Sequence, residues 1–417
     1  MLIIHPHWPP SNLVGVHRVR LIANQMHHFG WKAIVLTVHE SHLEEDLSYD
    51  LNRLVNKEIE VIKVDAAPVR HLFGKRLVGD IGLRAFQSLK TEATNIATNR
   101  KIDFIWFSLP PWYTSLMGPF FTRKMGIPYG VDYRDPWVYK LTNQQKGLNR
   151  ATITITLARL LEPIAIKQAA LLSGVSQGYL DGVVSRNNNT LCKQVTFQMG
   201  FCKEDHLIEI PDFKPPFTQG KQTFVYAGAY SPNWAPLFRI FLEGLAQLKK
   251  TECIDDLEFI FIGTGNAELQ SITSVASELG IAELVRELPE RIPYLHIQQC
   301  LRRASGALVI GSTEPHYSAS KLFQCLLTSK KLFAFFHQDS EARTILQQCS
   351  ADEYFAPYHQ DIPRPDIIAD ISHKMANFIN PKAEWNADIR PLDNHNSKAN
   401  TAIFIQAVET VLTNQRG

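Results

Sequence analysis

Short apolar runs, bounded by glycine, proline or polar residues, recur along this chain, each followed by a longer polar or helix-patterned connection. The first series occupies residues 2–6, 33–38, 61–64, 104–109, 129–133, 171–176 and 195–201. Between the first two runs the pattern predicts a helix from about His17 to Phe29, stopped at Gly30. Runs this short and this continuously apolar suit strands buried on both faces, and parallel strands of that kind need helical crossovers between them. A polar, proline-bearing stretch, KEDHLIEIPDFKPPFTQ, then breaks the pattern, so residues 203–221 read as a linker. Beyond it the pattern restarts, with strands predicted at 223–229, 258–262, 285–288, 307–310 and 332–336 and a helix at 236–249. At 417 residues the chain is too long for one ordinary core. An α/β fold of two doubly wound domains, 1–202 and 222–398, is the architecture this implies.

Composition excludes several classes. A hydrophobic content of 45% with 20% charged residues is that of a globular chain. A net charge of +2 gives no general attraction to nucleic acid, so none is expected as a partner. The six cysteines are scattered without a CxxC pair and read as reduced core residues. No apolar run approaches the roughly 20 residues of a spanning helix. The start lacks a basic leader region and enters the strand-like LII at once, so a cytoplasmic location is expected. Residues 68–90 mix Arg70, Lys75, Arg76, Arg84 and Lys90 with Leu72, Phe73, Leu77, Ile81, Leu83 and Phe86. Such a segment can lie on an anionic membrane surface, or it is a surface helix with its apolar side on the core. Gly74, Gly79 and Gly82 weaken any continuous helix there.

In doubly wound folds ligands sit beyond the carboxyl ends of strands, where the strand order reverses. Several loops at such places carry reactive or binding groups. GALVIGSTEPHYSASKLFQCLL, residues 306–327, reads as strand, polar loop and helix. Ser318 or Ser320 is placed to cap that helix, and Lys321 adds a full charge, so the segment suits a diphosphate. Its plainer reading is a capped helix with a solvated lysine. PPSNLVGVHRVR follows the first strand. There Gly15 permits close backbone approach beside Val16, and His17, Arg18 and Arg20 can assist a phosphate or an acceptor hydroxyl. A proline-stiffened turn with a solvated basic helix face is the alternative, and without GxGxxG a dinucleotide-binding dehydrogenase is not indicated. In YGVDYRDPW, Asp132, Arg134 and Asp135 lie in or just past an apolar strand, where charge is costly unless paired. Either an internal Asp–Arg pair braces the loop, or Arg134 and Asp135 reach a sugar or phosphate. Trp112 ends its strand in a place where it can stack on a sugar or merely pack. Gly228 and Gly263 end strands of the second half, and LPERIP, with Arg291, offers groups that can read a nucleobase.

The segments IIHPHWPPSNLVGVHRVR, VDYRDPW, FVYAGAY, FIGTG and SKLF, in this order, resemble bacterial retaining glycosyltransferases of the GT-B fold, family 4. The resemblance implies two Rossmann-like domains facing each other across a cleft, acceptor on the first and nucleotide-sugar on the second, with residues 399–417 forming a helix that crosses back. It implies metal-independent transfer with retention from a nucleoside diphosphate sugar, most simply a UDP-sugar, with no cofactor besides that donor. Glycan, lipid-linked and small-molecule acceptors are all compatible, as is a role in surface polysaccharide or glycoconjugate synthesis with peripheral membrane contact. Carried over, it gives Arg134, Asp135 and Lys321 to catalysis. Gly15, Val16, Gly228, Gly263, Arg291, Glu314, His316, Ser320, Lys321, Leu322 and Gln324 go to the donor, and His17, Arg18 and Trp112 to the acceptor. The departures are specific. The family's paired glutamates fall here on His316 and Gln324, with Glu314 out of register, and AYSPNW lacks the usual arginine and lysine that clamp the diphosphate. Two other readings follow: a nucleotide-sugar 2-epimerase recruiting His5, His17 and Asp135, and a non-catalytic partner subunit.

Overall fold

The computed structural model describes residues 1–72, 75–139, 150–187, 192–315 and 320–416. The chain forms two compact units, residues 1–200 with 397–417, and residues 201–396.

Unit 1 contains β1 (Leu2–Ile4), α1 (Val14–Gln25), β2 (Ile34–Val38), β3 (Glu60–Val64), β4 (Arg70–Leu72), β5 (Lys75–Val78), α2 (Ile81–Arg84) and α3 (Phe86–Asn99). It continues with β6 (Ile105–Leu109), α4 (Gly118–Met125), β7 (Tyr129–Tyr133), α5 (Arg150–Ile166), β8 (Leu171–Gly174), α6 (Gln177–Arg186) and β9 (Lys193–Thr196). Seven of these strands pair in parallel in the order β3-β2-β1-β6-β7-β8-β9. The strand period of two divides the core between the sheet's two faces. Leu2, Ile4, Ile105 and Phe107 join one apolar cluster with Leu89 of α3 and Phe121 of α4. Ile3 and Trp106 join another with Val19 and Ile22 of α1. That second face is completed by the chain's last helix, residues 397–416, whose Phe404 ring lies 4.7 Å from Trp106.

Unit 2 contains β10 (Gln222–Ala227), α7 (Ala235–Lys249), β11 (Leu257–Ile262), α8 (Ile272–Glu278), β12 (Val285–Leu288), α9 (Tyr294–Arg303) and β13 (Gly306–Ile310). Then come α10 (Ser320–Leu326), β14 (Lys331–His337), α11 (Glu341–Gln348), β15 (Phe355–Tyr358) and α12 (Arg364–Ile379); the last helix, in unit 1, is α13 (Ser397–Arg416). Its six strands are parallel in the order β12-β11-β10-β13-β14-β15. Phe224 and Tyr226 face α7 and α12, whereas Val225 faces the side covered by α9 and α10.

Three elements differ from expectation. Helix α1 starts at Val14 rather than His17, because Leu13 is still extended and the chain turns helical directly after it. It tightens into a 3-10 turn, Met26–Phe29, ended by Gly30 at φ +73°. Residues 68–90 are not one amphipathic helix: they fold as the antiparallel β4–β5 hairpin followed by α2, capped by Asp80, and the start of α3. The glycines break the helical period. Residues 203–221 are built into unit 2, where the Ile210 amide donates to Gln299 Oε1 at 2.9 Å and Phe213 stacks on His296 at 4.2 Å. Among the described residues no helix is long and apolar enough to cross a membrane.

Candidate functional site

Each sheet reverses its strand order once, between β1 and β6 in unit 1 and between β10 and β13 in unit 2. Adjacent crossovers there leave the sheet in opposite directions, which opens a crevice at the carboxyl ends.

In unit 2 that crevice is organised by Lys321. Its Nζ donates to Tyr226 Oη at 2.5 Å and lies over the rings of Tyr226 and Trp234, 4.4 and 5.1 Å from their centroids. Gly228 closes the other side. A Cβ there would lie 2.1 Å from Lys321 Nζ, and its φ of +152° suits glycine alone. Enclosure of the ammonium end pulls the Lys321 pKa down to about 7, with only a small opposing contribution from Cys325. Among the described residues no carboxylate pairs with this lysine. The site is a cation held in place and short of negative charge.

Gly263, at φ +79°, ends β11 beside it. A Cβ there would lie 3.6 Å from Arg291 Cγ and 3.9 Å from Gly228 O, so Gly228, Gly263, Arg291 and Lys321 lie together. Glu314 is exposed on the loop after β13, its amide donating to Ser312 Oγ. The side chain of Leu322 is fully buried in the core under α10, leaving only its backbone, in the first turn of that helix, toward the crevice. Gln324 is half-buried, and its Oε1 accepts from Gln298 Nε2 at 2.6 Å. A hydroxyl arriving there meets an amide N–H rather than the acceptor oxygens of a glutamate. His316 and Ser318 lie outside the described residues, as does the side chain of Ser320.

In unit 1 the crevice is a cavity of about 260 Å³ whose walls include His5, Gly15, Glu45, Asp80, Pro111 and Arg134. Gly15, in the first turn of α1, is required by Arg134: a Cβ would lie 1.9 Å from Arg134 Nη1. Arg134 donates from Nη2 to Pro110 O at 3.5 Å, its Nε lies 3.7 Å from Asp135 Oδ2, and its buried Nη1 has no partner among the described residues. His5 is 1% exposed with both ring nitrogens unpartnered among the described residues, and burial, followed by His7 and Arg134, holds its pKa well below the usual value. It is a neutral imidazole at the wall. Burial opposes ionisation of Glu45, but hydrogen bonds from His7 at 2.6 Å and Ser11 at 2.5 Å outweigh it and hold the pKa at about 2. Burial raises the Asp80 pKa despite the Leu83 amide it accepts.

Four expectations in unit 1 are corrected. Arg18 does not face an acceptor. It is fully buried and donates twice to Asp132, at 2.7 Å each, and from Nη1 to the carbonyls of Phe197 and Gln198. Asp132 also accepts from Ser108 and Ser173. So the internal Asp–Arg pair exists, but its arginine comes from α1 rather than from position 134. His17 turns inward beside Arg20, with burial first and then Arg20 and Arg134 keeping it neutral. Val16 is fully buried in the core, leaving only its backbone near the crevice. Trp112 stacks on Trp137, centroids 5.9 Å apart and rings 7° from parallel, so it packs rather than lines the cavity. Glu45, Asp80 and Gln298 went unnoticed in the sequence, whereas Tyr226 and Trp234 lay within FVYAGAY and AYSPNW without being given a role.

His337, Asp339 and His359 bring potential metal-ligand atoms within 4.8 Å of one another at the ends of β14 and β15. Each ring Nδ1 accepts a backbone amide, from Asp339 and Asp361 respectively. In the neutral rings the protons therefore sit on Nε2, which disfavours coordination through that atom.

No family model and no curated protein matches this sequence. Solved structures do match over the whole chain. WaaG, a glycosyltransferase involved in lipopolysaccharide biosynthesis, superposes with a TM-score of 0.59 at 11% identity, covering 99% of each chain. HepE from Anabaena, in complex with UDP and glucose, gives 0.56 at 16% identity, covering 100% of this chain and 98% of its own. OtsA, a trehalose-6-phosphate synthase, gives 0.56 at 10% identity, covering 98% of both. The two parallel-sheet α/β domains thus have the GT-B fold of these glycosyltransferases.

Proposed function

We propose that the chain is a glycosyltransferase that takes its sugar from a nucleoside diphosphate donor bound at the unit 2 crevice. The observation that carries this is Lys321, an enclosed ammonium without a carboxylate partner among the described residues, seated on Gly228 at the switch point of the sheet. A diphosphate would supply the missing charge, and Arg291 and the backbone at Gly228 and Gly263 would hold the rest of the nucleotide. UDP is the first candidate, because HepE, of the same fold, holds UDP.

In the reaction the bond between the donor's anomeric carbon and its phosphate oxygen breaks, and the electron pair leaves on the diphosphate. An acceptor hydroxyl oxygen bonds to the anomeric carbon on the same face, and its proton passes to the leaving phosphate. Lys321 and Arg291 stabilise the negative charge that develops, so no metal ion or further cofactor is required of this mechanism. The unit 1 crevice is the acceptor's place, with Arg134, assisted by Asp135, on a polar group of a glycan, lipid-linked or small-molecule acceptor. Surface polysaccharide or glycoconjugate synthesis at the cytoplasmic face of a membrane is the setting this suits. The buried, neutral His5 and His17 give little support to an acid–base epimerase.

Calorimetry with UDP, GDP, ADP and TDP tests the donor site. One nucleotide should bind in preference, and Lys321→Ala should weaken it at least tenfold, about 1.4 kcal/mol. If none of the four binds, the chain has no donor site of this kind and the partner-subunit reading takes its place.

A further inference from the structure

Helix α5 is apolar on two opposite sides. Ile155, Ala158 and Ala165 face the unit 1 core, as a helix over a sheet requires. On the far side Ile153, Leu157, Leu160 and Ile164 are 58%, 43%, 65% and 52% exposed. Spaced four, three and four residues apart at about 100° per residue, they form one stripe. The described residues include ten strongly exposed large apolar side chains, and four of them share this helix, so the exposure is concentrated rather than scattered.

The exposed charge on this helix and just beyond it is positive. Lys167 is exposed next to the stripe, three residues after Ile164, and Arg159 is exposed on the helix's flank. Arg123 and Lys124 end the neighbouring α4, and Arg123 Nε donates to Gln168 Oε1 at 2.9 Å, holding that cation just past the carboxyl end of α5. The helix's one acid, Glu162, is 1% exposed and taken up by Arg186 and Asn187.

We propose that this face of α5 docks on the surface of an anionic lipid bilayer, its aliphatic side chains entering the acyl boundary and the flanking cations meeting headgroups. A second copy of the chain fits less well. In a symmetric pair the helix would offer no exposed acid to meet Arg159 or Lys167 of the other copy. Docking rests on the proposed function only through the acceptor: α5 packs on the 3-10 turn Tyr113–Met117, which follows the Pro111 wall of the acceptor crevice, so a lipid-linked acceptor would be met at the bilayer.

Flotation of the full chain with vesicles of phosphatidylcholine, alone or mixed with phosphatidylglycerol, tests this without nucleotide or acceptor. At low salt the partition coefficient should be at least about tenfold higher on the anionic vesicles, and high salt should reduce it. Leu157→Ser with Leu160→Ser should lower it by about tenfold or more, whereas Leu207→Ser, at a still more exposed site in unit 2, should leave it unchanged. Arg159→Gln with Lys167→Gln provides a second variant that spares the apolar packing and should abolish the preference for anionic vesicles. Nucleotide binding on the same samples reports folding of unit 2 and stands or falls separately. The proposal is overturned if the wild-type chain ignores anionic vesicles, or if both double variants float as it does. It is also overturned if light scattering shows a dimer that the serine variant dissociates while vesicles bind neither form.

Discussion

Lys321 shows how one residue can be legible by type and illegible by state. Its place after a polar loop suggested a phosphate contact, but a capped helix with a solvated lysine was the plainer reading of the same letters. The decision came from Tyr226, Trp234 and Gly228, which lie about ninety residues earlier in the chain and enclose the ammonium. A pKa of about 7 in the free protein has a measurable consequence. An anion at Nζ favours the protonated form, so at pH 8 the complex holds more protons than the free chain and binding must take protons up. UDP affinity should therefore fall as pH rises from 7 to 9, and calorimetry in buffers of different ionisation enthalpy should register the uptake. Lys321→Ala should flatten both. Equal proton release and uptake in the wild-type chain would show that this lysine does not meet the nucleotide.

At the scale of elements, the start of α1 and the end of β7 are built for one another. Glycine at position 15 is not demanded by its backbone, which is helical, but by the guanidinium lying against it. Alanine there would push aside the far end of a flexible side chain rather than strain the fold, so stability should change by less than about 1 kcal/mol. Activity is another matter. Gly15→Ala should slow sugar transfer about tenfold by displacing Arg134, and Gly15→Ala combined with Arg134→Ala should be no slower than Arg134→Ala alone. Additive losses in that cycle would mean that Gly15 acts independently of Arg134. The hairpin at residues 70–78 illustrates the opposite limit: basic and apolar residues in mixed order fit several elements, and neighbouring glycines made the helical one lose.

At the scale of the whole molecule, the Arg18–Asp132 pair ties α1 to β7 and, through Ser108 and Ser173, to β6 and β8. Burial works against the Asp132 carboxylate, yet Arg18 and the two serines outweigh it and keep its pKa below the usual value. Asp132→Asn leaves a buried guanidinium uncompensated and should lower the stability of unit 1 by about 3–5 kcal/mol. UDP binding by unit 2 should persist in that variant, since the two units have separate cores. Joint loss of both would show that the units fold as one. The chain by itself determined its alternation of short buried strands and helices, its division in two, and the loops at the carboxyl ends of its strands. Those features follow from local periodicity and from where glycine and proline stop it. Only the tertiary structure decided that Arg18 braces the sheet while Arg134 faces a cavity, that Trp112 packs, and that Lys321 is held short of charge. Partners in such contacts are distant in the chain, and whether a charged group is spent on structure or left for a ligand depends on what the fold brings beside it.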